Sequence, residues 1–153
     1  RAWAYRVRRG AETQPRPGGF LVIAALAAIA VGGTLGALLR GTLVRMAGNQ
    51  DDFSWWPRGP AAATLISNTL GCLLFGLWLD FGSSWAAEFA DFVNLEVGVT
   101  IGFCGGLTTF STLCSDAIRL ANHLGSRAAS LYLAETIFLG LSAFWLGAFG
   151  LPL

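Results

Sequence analysis

Four long apolar stretches, separated by short polar connections, dominate the pattern of this chain. They cover residues 20–39, 61–79, 92–120 and 128–149. An α-helix needs roughly 20 apolar residues to cross a hydrocarbon core of about 30 Å, and each stretch comes close to that length or exceeds it. The pattern therefore predicts a multi-pass, all-α protein of the cell (plasma) membrane with four transmembrane helices per subunit.

The composition agrees with a lipid environment. Of the 153 residues, 54% are hydrophobic and only 12% are charged, whereas about a quarter of the residues in soluble domains are charged. All 10 basic residues are arginine, and they nearly balance 9 acidic residues, so the charge gives no indication of a nucleic-acid partner. The three cysteines, Cys72, Cys104 and Cys114, lie in apolar stretches and show neither a disulfide framework nor a metal-binding spacing.

An arginine-rich segment, residues 1–19, precedes the first apolar stretch. We predict a disordered tail there and a membrane domain over residues 20–153. With four spans, the five tail arginines lie on one side of the membrane and five others on the opposite side: Arg40, Arg45, Arg58, Arg119 and Arg127. Arginine asymmetry normally sets orientation, so this balance allows insertion in both directions and an antiparallel dimer. Alternatively, the tail alone dominates and fixes one orientation.

The third apolar stretch is interrupted by residues 102–109, Gly-Phe-Cys-Gly-Gly-Leu-Thr-Thr. Such residues loosen a helix, and because lipid cannot satisfy the freed backbone groups, a break at this depth must face protein, ions or water. Carbonyl oxygens released over residues 105–108 are ligands of the kind that a hard cation prefers. The alternative is that the glycines only allow helices to pack closely.

The interrupted stretch closely resembles a known family. Residues 102–112, GFCGGLTTFST, resemble the signature of the Fluc/CrcB fluoride ion channels, and GGTLGALLR at 32–40 and TLISNTLG at 64–71 agree with the same family. The resemblance implies an antiparallel, dual-topology dimer that conducts fluoride passively out of the cytoplasm, down its electrochemical gradient. It also implies a structural Na⁺ at the dimer centre, bound by backbone carbonyls, and the matching positions are Gly105 and Thr108.

The resemblance further implies a fluoride pathway. Asn68 matches an asparagine whose N–H donates to the anion, and Phe110 would offer the positive edge of its ring. Tyr132 and Thr136, one helical turn apart, match a polar track whose hydroxyls replace water around a dehydrating ion. For each residue the sequence leaves a structural alternative open: a contact between helices, apolar packing, or a hydroxyl bonded to its own helix.

Three more polar residues complete the candidate set. Thr64 lies one turn before Asn68 on the same helical face, and Ser111 directly follows Phe110. Arg40 matches an arginine near the aqueous vestibule, where a fixed positive charge raises the local concentration of anions. For Arg40 the alternative is ordinary contact with lipid headgroups.

One position departs from the family pattern. The family has a second phenylalanine three residues after the first, and this chain has Leu113 there. Half of the expected pair of aromatic rings is therefore missing from the fluoride pathway of each subunit. The chain is either a homodimer with an altered pathway or one subunit of an obligate heteromeric fluoride channel, in which a paralogous subunit supplies the complete pair.

Other classes of membrane protein explain the sequence less well. A small proton-coupled multidrug exporter can also be a dual-topology four-helix dimer, but such exporters resemble one another in a buried glutamate in the first span, and residues 20–39 contain no acid. A membrane adaptor would explain the small residues but not the polar ones at mid-depth. We predict no enzyme, because an intramembrane enzyme needs a nucleophile with a base or a metal cluster, and the single histidine, His123, lies in a predicted loop without the spacing of paired ligands.

Overall fold

The computed structural model describes residues 19–48, 59–86, 96 and 98–150, and the predicted tail and Arg58 lie outside these residues. Four helices and two short helical segments occur, in the order α1 (Gly19–Met46), α2 (Pro60–Ala86), the π-helical segment Gly98–Cys104, the single turn Gly105–Leu107, α3 (Phe110–Leu124) and α4 (Ser126–Phe149). The described part of the chain contains no strand. The predicted all-α class is therefore confirmed there.

Three of the helices are long and apolar enough to cross a membrane. The spans run over Val22–Met46, Pro60–Asp80 and Ser126–Phe149, and they coincide with the first, second and fourth apolar stretches. In the most apolar part of α1, only 6% of the residues are buried within the chain. The remainder of that helix must therefore be covered by lipid or by another protein chain, since an apolar surface of this size is not stable in water.

The helices are longer than the sequence pattern predicted. Helix α1 does not end before Arg40 but continues to Met46, because arginine is a good helix former and its charge alone does not end a helix. The backbone adopts a positive φ of +100° at Gly48, two residues after the helix ends. The loop predicted over residues 122–127 is reduced to Gly125, with φ of 91° between α3 and α4, and α2 continues beyond residue 79 to Ala86.

Glycine allows the backbones of α1 and the third stretch to touch. A Cβ atom on Gly36 would collide with the backbone of Phe103 and Leu107, and one on Gly106 would collide with the Gly33 carbonyl oxygen. Helix α1 accordingly packs chiefly against the π-helical segment and the single turn. Close packing, the alternative explanation for the glycines, therefore holds for Gly106.

The other half of the structure is built around α2, α3 and α4. Helix α2 packs along α4, and α3 packs against both of them. Gly76 and Gly147 again permit close contact, because a Cβ on either would meet backbone atoms of the opposite helix. The apolar core lies between these three helices and includes Leu65, Leu113 and Tyr132.

The arginines of the described residues gather at one end of the bundle. The end of α1 meets the start of α2 there, where the Gly59 N–H donates to the Ala47 carbonyl oxygen at 3.1 Å, and α3 and α4 join there at Gly125. Four arginines lie at or near this end: Arg40, Arg45, Arg119 and Arg127. The opposite end carries Asp80 and Glu96. The described bundle is thus basic at one end and acidic at the other.

Candidate functional site

The backbone leaves helical geometry at two residues between the single turn and α3. Thr108 has φ of −85° and ψ of 154°, and Thr109 has φ of −154° and ψ of 122°. The interruption predicted over residues 102–109 is therefore narrower than expected. Residues 102–107 stay helical because this part of the chain is packed against α1 through its glycines.

The side chain of Asn68, on α2, holds this extended backbone. Its Oδ1 accepts the Thr109 N–H at 2.8 Å, and its Nδ2 donates to the Thr109 carbonyl oxygen at 3.4 Å. In an uninterrupted helix the Thr109 N–H would instead donate to the carbonyl of Gly105, four residues earlier. The contact between helices that the sequence left open for Asn68 is thus present, and it takes the place of a helical hydrogen bond.

Thr109 itself begins α3. Its Oγ1 accepts the Thr112 N–H at 3.3 Å, which is the usual role of a threonine at a helix N-cap. Without the break, the Thr112 N–H would donate to the Thr108 carbonyl. The carbonyls of Gly105 and Thr108, the two predicted Na⁺ ligands, are two of the carbonyls that lose a helical donor at this break, and the donors of these two bond to side chains instead.

The two adjacent glycines of this region differ in their surroundings. A Cβ on Gly106 would strike α1, whereas a Cβ on Gly105 would meet nothing within 4 Å. Gly105 faces an open groove of about 260 Å³, which we call the central groove; it is lined by Gly71, Cys72, Phe75, Thr100, Cys104, Gly105 and Thr108. The described residues contain no group of three acidic, histidine or cysteine side chains that would hold a metal. A hard cation in this groove would depend on carbonyl and hydroxyl oxygens.

A second groove of about 390 Å³ brings several predicted pathway residues together. This Phe110 groove is lined by Asn68, Cys72, Thr108, Thr109, Phe110, Leu113, Thr136, Ile137, Gly140 and Leu141. The Phe110 side chain is 78% exposed, although it is large and apolar, whereas Leu113 is only 6% exposed and also belongs to the core. The structure thus places Asn68, Phe110 and Thr136 along one open surface, with Leu113 beneath it.

Two predicted pathway residues lie deeper than the grooves. Thr64 and Tyr132 are 1% and 0% exposed, and the Thr64 hydroxyl donates to Asp116 Oδ2 at 2.7 Å. The Tyr132 hydroxyl lies beside Thr64, Asp116 and Thr136 but forms no well-aligned hydrogen bond to any of them. The Thr136 hydroxyl donates to the Tyr132 carbonyl at 2.8 Å. This is the bond to its own helix that the sequence left open as the alternative for this residue. These side chains form a buried polar cluster between α2, α3 and α4.

Asp116 is the member of this cluster that sequence reasoning left without a role. Its side chain is 5% exposed and is bonded to Thr64 rather than facing water. The spacing of apolar residues could have predicted that Asp116 is buried. Leu113, Ala117 and Leu120 recur at helical intervals around it and define the buried face of α3. A carboxylate on that face must find a donor within the protein.

Two further candidates lie outside both grooves. Ser111 is exposed, and its hydroxyl lies 3.2 Å from the Thr109 hydroxyl, so it contributes to the start of α3. Arg40 is partly exposed, inside α1, toward the basic end of the bundle. Neither residue lines the central groove or the Phe110 groove.

The Asn68 contact leads to a stability prediction with a neighbouring control. Asn68→Leu leaves the Thr109 N–H without its acceptor, and we expect it to destabilise the protein by about 1–3 kcal/mol. Thr69→Val, one residue later, removes a buried hydroxyl that has no hydrogen-bond partner, so it should be neutral or stabilising. Thermal unfolding in detergent compares the two variants. Equal stability of both would show that the carboxamide does not hold the break.

Comparison with known proteins identifies the family. The family model described as CrcB-like protein, Camphor Resistance (CrcB), matches residues 27–148. A fluoride-specific ion channel FluC from Pseudomonas putida is 38% identical over 126 residues, which cover 82% of this chain and 95% of that protein. The protein of the same name from Azotobacter vinelandii is 40% identical over 121 residues, covering 78% of this chain and 90% of the relative.

The matched region includes most of α1 and α4, all of α2, and the two grooves described above. A relative from Pseudomonas fluorescens, also named fluoride-specific ion channel FluC, is 36% identical over 110 residues, covering 71% of this chain and 86% of that protein. The predicted resemblance to the Fluc/CrcB family is thereby confirmed. The chain belongs to the CrcB family and is a multi-pass protein of the cell membrane.

Proposed function

We propose that this chain forms a fluoride-selective, passive ion channel that lets cytoplasmic fluoride leave down its electrochemical gradient. The observation that carries the proposal is the Phe110 groove, where a broken backbone, a carboxamide and an exposed aromatic ring converge in a member of a family whose relatives are named fluoride channels. This is a transport function without covalent chemistry, and we propose no enzymatic activity.

The groove offers fluoride donors that can replace water. An asparagine amide carries two N–H bonds, and Asn68 directs one toward the Thr109 carbonyl, so the second can donate to an anion in the groove. The exposed ring of Phe110 presents an edge of partial positive charge. Chloride, being larger, would lose its water without matching donors in the same space.

Of the deeper hydroxyls, that of Tyr132 is the one that extends this pathway, because the Thr64 and Thr136 hydroxyls already donate within the protein. Thr136 lines the groove, and the Tyr132 hydroxyl, which has no well-aligned hydrogen-bond partner, lies next to it and to Thr64. A buried hydroxyl without a partner is unfavourable, and a small anion accepting from it would relieve that cost. We therefore propose that fluoride passes from the Phe110 groove toward the buried polar cluster.

The basic end of the bundle gives the anion a favourable approach. Arg40 lies near this end together with Arg45, Arg119 and Arg127. Clustered charge of one sign concentrates counter-ions at a channel mouth. Arg40 lines neither groove, so we propose that it acts through this field in an aqueous vestibule rather than by direct contact along the pathway.

We further propose that two copies assemble as an antiparallel dimer around a structural Na⁺. In each copy the third apolar stretch, which comprises the π-helical segment, the single turn and α3, would cross the membrane as a broken helix, in addition to the spans of α1, α2 and α4. The support is the pair of released carbonyls at Gly105 and Thr108, together with the open space at Gly105. A hard cation takes several oxygen ligands, and one copy offers two here, so a second copy would complete the set. The ion would supply a fixed charge that joins the two subunits.

The sodium proposal predicts stabilisation by a specific cation. Because Na⁺ would bind only the assembled state, raising its concentration should raise the unfolding temperature by mass action. Thermal unfolding in detergent is compared in the chlorides of Na⁺, K⁺ and N-methyl-D-glucamine at one ionic strength. Identical curves in the three salts would contradict a sodium site and leave fluoride conduction untouched.

The transport proposal is tested in liposomes loaded with potassium fluoride or potassium chloride. We expect fluoride efflux to begin when valinomycin lets K⁺ leave with the anion, and to need no proton gradient. Chloride efflux should stay close to that of protein-free liposomes. Equal rates for the two anions would contradict selectivity, and efflux that requires a proton gradient would favour the exporter.

Leu113 separates the homodimer from a subunit that needs a different partner. Since Leu113 already fills part of the core next to Leu65 and Tyr132, we propose a homodimer in which it acts by packing. Leu113→Phe should then overpack the core, cost about 1–3 kcal/mol, and leave fluoride efflux no faster. Leu113→Met, which preserves the volume, serves as the control. A large gain in efflux with Phe would contradict the homodimer and favour the heteromeric channel.

A further inference from the structure

Two cysteines from different elements line the central groove. Cys72 lies on α2 and Cys104 ends the π-helical segment, and both are free thiols. The elements that carry them are in close contact here, because a Cβ built on Gly71, next to Cys72, would stand 3.7 Å from the Cys104 carbonyl oxygen. The third thiol, Cys114 on α3, lines neither groove.

A pair of thiols in one groove is a ligand set for a soft metal ion. Thiolate sulfur selects soft ions, whereas carbonyl oxygen selects hard ones such as Na⁺. We propose that the central groove binds a soft, thiophilic metal ion, for which Hg²⁺ is the probe, between the sulfur atoms of Cys72 and Cys104. This site is distinct in its ligands from the carbonyl site at Gly105 and Thr108.

The binding step is balanced without any oxidant. Each thiol loses its proton, two S–H bonds break, and two S–Hg bonds form, while two protons pass to water and no electrons are transferred. With Hg²⁺ the product carries no net charge. That matters in this part of the chain because an uncompensated charge among apolar side chains is costly.

The position of the site gives it a consequence for transport. Cys72 lines the Phe110 groove as well as the central groove, so a metal bound to its sulfur ties α2 to the segment just before the break. Resting on the proposed function, we expect bound Hg²⁺ to slow fluoride efflux. The binding of Hg²⁺ is measured by separate experiments that do not need fluoride transport.

The test uses the small number of cysteines in the chain. The sequence contains three, so Cys114→Ser leaves only the pair in the groove. The folded variant in detergent receives one equivalent of Hg²⁺ and is then challenged with excess glutathione. We expect intact-mass measurement to show one Hg per chain with the loss of two hydrogens. Adding Cys72→Ser or Cys104→Ser should abolish this retention, because a single thiol exchanges its metal with glutathione.

The unmodified chain provides a second measurement that does not depend on any variant folding. After exposure to Hg²⁺ the protein is denatured in a maleimide reagent, and the labelled cysteines are mapped. Cys114 should be labelled, while Cys72 and Cys104 should be protected together. Equal labelling of all three, or one thiol consumed per ion, would overturn the site. If Cys72 and Cys104 are protected from labelling but the chain conducts no fluoride, the proposed function is contradicted and the metal site is not.

Discussion

The structure depends on one substitution of hydrogen-bonding partners, in which Asn68 of α2 takes the place of a helical carbonyl for the Thr109 N–H. A backbone break in an apolar environment is possible only where each freed group finds another partner. Here two of the freed donors bond to side chains: the Thr109 N–H donates to Asn68, and the Thr112 N–H donates to Thr109. The carbonyls whose helical donors have turned to side chains are the ones that the proposed Na⁺ would use, so the same break serves the packing of the chain and the proposed site.

Close backbone packing fixes where that break can occur. Before it, the chain is packed against α1 through Gly36 and Gly106. After it, α3 packs instead against α4 and α2. The chain thus exchanges one set of neighbours for another across Thr108 and Thr109. A continuous helix would have to keep one direction, so the extended pair of residues is what lets both halves find their packing surfaces.

Apolar length predicted the three spans in α1, α2 and α4. The concentration of glycine and threonine predicted an interruption over residues 102–109, of which only Thr108 and Thr109 are extended, and a broken fourth transmembrane helix stays a prediction. The sequence did not predict the helix ends, since Arg40 and residues 122–124 are compatible with either a helix or a loop until the turn glycines are located. Within the candidate site, residue type singled out Asn68 and Phe110, which line the same groove, and their part in transport stays a prediction. Residue type could not show that Thr64 is bonded to Asp116 or that Tyr132 is fully buried, because these depend on how α2, α3 and α4 meet in space.

The uneven distribution of charge along the bundle bears on how two copies would lie together. The described part of each copy has arginines at one end and Asp80 and Glu96 at the other, so this part of the chain, taken without the tail, has an electric dipole along its axis. In a parallel pair the two dipoles would add and like charges would repel at each membrane surface. In an antiparallel pair the dipoles oppose each other, and every surface receives one basic and one acidic end. An anion approaching from either side of such a pair would then meet the same electrostatic field.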